Sequence, residues 1–386
     1  MNDTSSCALV IGLCSHGLAI SRSLHRFGIE VHAFEPNPEL PGFKTRSAEV
    51  HQVTSINDEA LVDHLIEFRK RIPAEKRIVL FPTNDNNVKV IAENIGEIGR
   101  HYFVSWSASA AKVKQLLLKN NIEKRCIQTG LSYPKSIIVE DMGSLDESIL
   151  ALREPLIVKP VKPQSGFKAL KFETANSVAA GIKDYSRDFP ILVQEWIAGT
   201  SEDIFFCAVF FDHGKPMYSF VGRKLDSYPP ALGQTTVAVT EDNEFLIALT
   251  HRFFDGLEFS GPASLEFKRD QQGNFWVIEP TVGRSDFWLG LCVAAGFDLP
   301  LLEYQLSTAR KPESRYSTSI SPTIWFDSER DPLAPLRYRS RWLRLSSRAY
   351  KPVFSYFDPK DRAPFYSALM QTLLRLKSAL LKKLAG

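Results

Sequence analysis

Over the first hundred residues, short apolar runs alternate with segments whose apolar positions recur every three or four residues. CALVIGL (7–13), IEVHAFE (29–35), RIVLFPT (77–83) and HYFVSW (101–106) have the length and the branched or aromatic content of buried strands. A Gly-containing turn and a helix follow the first, and VKVIAENIGEIG continues the third as a helix. Strand–helix alternation of this kind predicts a parallel, Rossmann-like sheet. Residues 108–130 read as a helix that stops at Gly130, with Pro134 soon after. Farther on, PLIVKPV (156–162), ILVQEWIAG (191–199) and SLEFKRDQQGNFWVIEPTVGR (264–284) read as strands, the last as a hairpin turning at 271–273. The final stretch, FYSALMQTLLRLKSALLKKL, spaces Leu369, Leu373, Leu376, Leu380 and Leu384 three to four apart. That spacing predicts an amphipathic helix with a basic opposite face.

Composition narrows the class. A chain of 386 residues, 44% of them apolar, is long enough for two or three sub-domains with their own cores. No apolar run has the length of a membrane span. The opening MNDTSSCALVIGL lacks a basic n-region, so its apolar run is expected to be a first strand rather than a signal peptide. Five scattered cysteines without a CxxC pair fit a reducing cytoplasmic setting and argue against a disulfide framework or a structural zinc site. Neither GxSxG nor HExxH is present, so hydrolase and zinc-protease chemistry lack their usual residues. Charge is uneven. Beyond Pro332 the chain carries twelve Lys/Arg against Asp358 and Asp361, within a total of +3. The preceding part is therefore net acidic and the tail strongly basic.

Three places carry candidate chemistry. Lys159 interrupts the apolar strand LIVKP, and a lysine there needs an anionic partner, which a phosphate supplies. Glu266 and Glu279 interrupt apolar runs on the two strands of the predicted hairpin. Facing carboxylates repel unless a cation lies between them, and oxygen ligands suit Mg²⁺ or Mn²⁺. The turn Gly12–Gly17 has Cys14 where a dinucleotide fingerprint needs glycine and no lysine after Gly17, although Glu35 stands near the place of a ribose-binding acid. A dinucleotide fingerprint and a P-loop are both incomplete.

In this order and spacing the segments resemble those of ATP-grasp carboxylate–amine ligases, from about residue 8 to about residue 310. The resemblance implies an α/β architecture. A Rossmann-like pre-ATP-grasp domain (1–106) precedes a two-lobed α+β ATP-grasp fold (107–190 and 191–330), and a basic helical tail follows (331–386). It implies ATP and Mg²⁺ (or Mn²⁺) as cofactors, with Lys119 and Lys159 reaching the phosphates. Ser165 and Gly166 would cradle them, with Lys168 or Lys162 adding charge. Gln194, Glu195, Trp196 and Ile197 would line adenine, and Glu202, or failing it Asp203, would hold the ribose hydroxyls. Glu266 and Glu279 would hold the metal. Thr281 stands where the family has Asn, and Arg284 would face the acyl phosphate one position later than usual. Arg223 and Lys224, in a structured loop over 221–236, are candidates for the γ-phosphate. Asp85 or Asn84 would contact an amine, unless it only caps a helix.

A carboxylate is a poor electrophile, and ATP activates it by phosphorylation. The resemblance therefore implies amide formation through an acyl phosphate, with release of ADP and phosphate. The substrates would be a small carboxylate and an amine, with a role in cell-surface polysaccharide or amino-acid-conjugate synthesis. The rival readings are a carboxylase or kinase of the same superfamily, and a nucleotide-binding regulator without turnover. The tail suits the anionic inner face of a membrane, or docking on the protein's own body or on a second subunit in a homodimer. No nucleic-acid-binding module is visible in it.

Overall fold

The computed structural model describes residues 5–144, 147–161, 167, 169–230, 232–309, 320–337 and 350–385. Its first sheet pairs β1 (Ser6–Ile11), β2 (Glu30–Glu35), β3 (Glu49–Gln52) and β4 (Arg77–Pro82), all parallel, in the order β3-β2-β1-β4. Helices α1 (Ser15–Arg26), α2 (Ala60–Arg71) and α3 (Asp85–Glu93) cross over between or after the strands. Every residue of β1 is buried, as a parallel strand covered on both faces requires. Cys7, Leu9 and Ile11 pack with Leu61, Leu65 and Val88, while Ala8 and Val10 pack with Ile20 and Leu24.

Two expected elements take other forms. Residues 101–106 make a single bridge, Phe103 to Val79, rather than a strand, and Trp106 at its end fills the core. The expected helix over 108–130 is divided into a short turn at 107–109 and helices Ala110–Leu116 and Asn120–Thr129. Gly130 ends the last of these in the left-handed region at φ 62°, as its position predicts.

A small sheet follows, in the order β5-β8-β6-β7, from β5 (Ser136–Val139), β6 (Leu156–Pro160), β7 (Leu170–Phe172) and β8 (Ile191–Glu195). It closes over its own core of Leu156, Val158, Val178, Ile191 and Val193. Because β8 pairs with both β5 and β6, the passage to the next sheet comes after Glu195, not before Ile191.

The large sheet has seven strands in the order β13-β12-β9-β10-β11-β14-β15. They are β9 (Ile204–Asp212), β10 (Lys215–Tyr228), β11 (Gln234–Glu241), β12 (Gly261–Arg269), β13 (Phe275–Val282), β14 (Thr323–Phe326) and β15 (Lys351–Phe354). Cys207, Val209, Leu265 and Val282 share one core with the first sheet's Leu9 and Ile11. The expected loop over 221–236 is largely strand: β10 runs through Tyr228 and β11 begins at Gln234.

The tail is not a separate arm at its start. β15 adds a parallel strand beside β14, and Asp361 then anchors the chain to α1. Arg22 Nε donates to Asp361 at 2.9 Å, and its terminal nitrogens donate to the carbonyls of Ser355, Tyr356 and Asp361. Thr45 Oγ1 and the Arg46 N–H donate to the same carboxylate, and Arg26 pairs with Asp358. The last helix, Ala363–Ala385, begins there. No helix among the described residues is long and apolar enough to cross a membrane.

Candidate active site

The hairpin β12–β13 brings the two glutamates into register, Glu266 opposite Glu279 and Ser264 opposite Thr281. Directly paired and alternate residues share a face, so the four oxygen-bearing side chains line one side of the ribbon. Glu279 is exposed and Glu266 half-buried. Carboxylates and hydroxyls without competing sulfur or imidazole fit a hard divalent cation such as Mg²⁺ or Mn²⁺. The Thr281 hydroxyl donates to Asp286 Oδ2 at 3.1 Å, and Ser264 Oγ donates to the same oxygen at 3.3 Å. Asp286 thus adds a carboxylate beside the threonine that stands in the family's Asn position. Sequence reasoning missed it, although it is only five residues beyond Thr281.

Gly283 sets the next step. A Cβ there would lie 2.9 Å from Val88 and 3.1 Å from Trp106, and its φ of +73° disfavours any other residue. The end of β13 therefore meets α3 closely enough for Arg284 Nε to donate to Asp85 Oδ1 at 2.7 Å. Burial disfavours the guanidinium charge, but Asp85 and Asp286 outweigh it and raise its pKa. Burial would raise the Asp85 pKa, and Arg284 overcomes this to lower it. Asn84, in contrast, caps α3 by accepting from the Asn87 N–H, so Asp85 is the member of that pair turned to the site. His16 lies close by. Burial, reinforced by Arg284, pushes its pKa down to about 4, which keeps it neutral at physiological pH. Its Nε2 is bonded to the Thr83 carbonyl and its Nδ1 is 3.4 Å from Cys14 Sγ.

Across the hairpin, Lys268 shares a field with Glu266, Lys224 and Asp203. It is buried, and burial lowers its pKa to about 8. Its Nζ donates to the Thr200 carbonyl and lies 5.8 Å from the centre of the Trp196 ring, which Lys171 approaches to 5.6 Å. A lysine beside an aromatic face at the passage between the sheets suits a nucleotide, and it was not singled out from sequence. Lys224 is buried and braces the β10–β11 turn through the Gly233 carbonyl at 3.1 Å. Arg223 points instead to Glu241 at 3.0 Å and Glu202 at 3.8 Å.

The small sheet carries Lys159 on β6. Lys159 Nζ donates to Gln194 Oε1 at 3.3 Å, and Lys119 Nζ donates to the Pro160 carbonyl at 2.9 Å, so both predicted phosphate lysines meet at the end of β6. Gln194 and Ile197 are buried. The Glu195 carboxylate is turned to Arg153, accepting from its backbone N–H at 3.0 Å. Asp203 is occupied with structure, accepting from the Thr200 N–H and from Arg269 at 2.9 Å each, whereas Glu202 lies near Arg223. Ser165, Gly166, Lys168 and Lys162 lie outside the described residues.

The Gly12–Gly17 turn serves packing. A Cβ on Gly17 would meet the Gly12 carbonyl oxygen at 2.0 Å. Glu35 accepts from the Leu13 N–H at 2.8 Å and the Asn37 N–H at 3.0 Å, which occupies the acid a ribose would need. Glu329 accepts from the Ser15 N–H at 3.1 Å, so a carboxylate already sits at the α1 N-terminus where a pyrophosphate would lie. A cavity of about 1180 Å³ is lined by residues of 66–77 and 99–107 and shares none of these side chains.

The parallel first sheet, the small sheet and the large hairpin-bearing sheet together give the chain a fold like that of ATP-grasp proteins. In sequence the chain is similar to D-aspartate and D-alanine–D-alanine ligases. It is 22% identical over 306 residues to a D-aspartate ligase of Enterococcus faecium, covering 71% of this chain and 72% of that protein. A D-alanine–D-alanine ligase of Chromohalobacter salexigens is 27% identical over 164 residues, covering 39% of this chain and half of the relative's length. The fold matches that of an L-amino acid ligase from Bacillus licheniformis with a TM-score of 0.61 and 17% identity, over 82% and 78% of the two chains. It also matches a carboxyaminoimidazole ribonucleotide synthase from Aspergillus clavatus complexed with ATP, with a TM-score of 0.62 and 14% identity, over 83% and 81%. No family model matches the chain.

Proposed function

We propose that the protein joins a small carboxylate to an amine in an ATP-dependent reaction that passes through an acyl phosphate and releases ADP and phosphate. The observation that carries this reading is the in-register pair Glu266 and Glu279, with Lys268 on one side and the Arg284–Asp85 pair on the other. The nucleotide lies between the sheets, with Trp196 and the 194–197 segment at its base and Lys119 and Lys159 at its phosphates. Glu266 and Glu279, supported by Thr281 and Asp286, hold Mg²⁺ or Mn²⁺, which neutralises phosphate charge. Arg284 stabilises the oxyanion that forms when the amine attacks the acyl phosphate. Asp85 fixes that guanidinium and receives the ammonium end of the acceptor.

The similarity to a D-aspartate ligase supports an amino acid as one substrate. An amino sugar of a cell-surface polysaccharide or conjugate is the proposed alternative acceptor. The test is ADP and phosphate release with Mg-ATP across amino acids and amino sugars supplied singly and in pairs. Release that needs one acid and one amine together supports ligation and names both. Release that needs bicarbonate, or a single hydroxyl substrate, replaces it with a carboxylase or a kinase. ATP binding without release under any pair favours a regulator.

A further inference from the structure

The C-terminal helix Ala363–Ala385 leaves the body of the protein with its apolar side uncovered. Leu373, Leu374 and Leu376 are each more than half exposed, as are Tyr366 and Met370. Near its start the helix touches the body, where Gln371 donates to the Glu39 carbonyl and the helix meets the turn at 41–44. A surface leucine is ordinary, but a run of them on one free helix needs a partner.

Charge identifies that partner. From Arg362 onward the sequence carries Arg362, Arg375, Lys377, Lys382 and Lys383 and no acid at all. The two preceding acids, Asp358 and Asp361, are paired with Arg26 and Arg22. The same end of the molecule presents exposed Lys44, Arg46 and Lys360. A pocket of about 220 Å³ at the root of the helix is lined by Arg22, His25, Arg26, Arg46 and Lys360 over the two aspartates. A second copy of so basic a helix would meet like charge, whereas an acidic bilayer surface would meet its complement. The helix is too polar to span a bilayer and has the composition of one that lies in its interface.

We infer that this helix and the basic cluster at its root dock the protein on an anionic phospholipid surface, the leucines in the acyl boundary and the cations among the headgroup phosphates. The inference is independent of which substrates the site joins.

Co-sedimentation of the full chain with vesicles tests it. Vesicles of phosphatidylcholine with one third phosphatidylglycerol should retain on the order of tenfold more protein than vesicles of phosphatidylcholine alone, and the difference should shrink in high salt. Leu373→Glu with Leu376→Glu should abolish retention. Arg46→Gln with Lys360→Gln, which leaves the helix intact, should weaken it severalfold. Both double variants should unfold at the wild-type temperature. Equal retention on the two vesicle types overturns the inference, and so does no retention. A wild-type dimer in light scattering that the leucine variant dissolves, without vesicle binding, assigns the face to a second copy instead.

Discussion

Arg284 Nε and Asp85 Oδ1 are 2.7 Å apart although their residues are separated by 199 positions in sequence. The pair ties the end of the β12–β13 hairpin to the first helix turn beyond β4. It therefore links the large sheet to the parallel first sheet. Arg284→Met should lower turnover by roughly 10²–10³, the usual cost of removing one oxyanion donor, with Mg-ATP affinity nearly unchanged. Asp85→Asn should act mainly on the KM of the amine. Steady-state kinetics and ATP titration separate the two effects.

Glu279→Gln keeps shape and removes charge from one half of the facing pair. Turnover should fall by about a thousandfold or more. Mn²⁺ binding, read from water proton relaxation, should weaken in parallel while the unfolding midpoint stays put. Retained Mn²⁺ affinity would move the metal away from this hairpin. Asp286→Ala should weaken the same Mn²⁺ signal less, since its bonds run through Thr281 and Ser264.

Lys268 begins with a pKa near 8 because it is buried. A polyphosphate placed beside it favours the ammonium, so binding of Mg-ATP at pH 8 should take up protons. Calorimetry in buffers of different ionisation enthalpy measures that uptake directly, and Lys268→Met should erase it. The same change should weaken nucleotide binding about tenfold to a hundredfold, the loss of one charge-assisted hydrogen bond.

Glu303 is buried, with Ser105 Oγ donating to it at 2.6 Å, and burial raises its pKa to about 8. Its unfolded value is near 4.5, so between these two pH values the folded state holds the extra proton. Stability therefore falls as pH rises from about 4.5 to about 8, by at most about 1.4 kcal/mol per pH unit, and the loss is complete above that range. Glu303→Gln should flatten this slope in urea melts taken at pH 5 and pH 8.

Breaking the buried Arg22–Asp361 pair from one side should be costly. Asp361→Ala leaves Arg22 charged and enclosed, with an expected loss of about 3–5 kcal/mol. Replacing both by apolar residues should recover much of that loss in chemical denaturation.

The parts of this molecule that sequence makes readable are those built from local pattern. β1, β2 and β4 are apolar runs, and Glu266 and Glu279 stand out because each interrupts one. β3 (EVHQ) is short and half polar, so it carries no such run, and β15 (KPVF) contains the proline that an edge strand tolerates. Residues 101–106 look like a strand because they are aromatic, but Tyr102 and Trp106 are there to fill the core from a loop. Asp85 and Arg284 could each be nominated singly, yet nothing local announces their pairing. Lys268 escaped because it stands among charged neighbours, although it is two residues from Glu266 and close to it in space. The amphipathic tail helix was legible from leucine spacing, while its anchoring by Asp358 and Asp361 depends on arginines more than 300 residues earlier.

The small sheet is an insert whose two ends run side by side. The Glu195 N–H donates to the Lys135 carbonyl at 3.0 Å, and Gln194 Nε2 donates to the Pro134 carbonyl at 3.3 Å. The place at which Lys159 leaves the body of the protein is therefore set by one seam, formed by residues sixty positions apart in the chain.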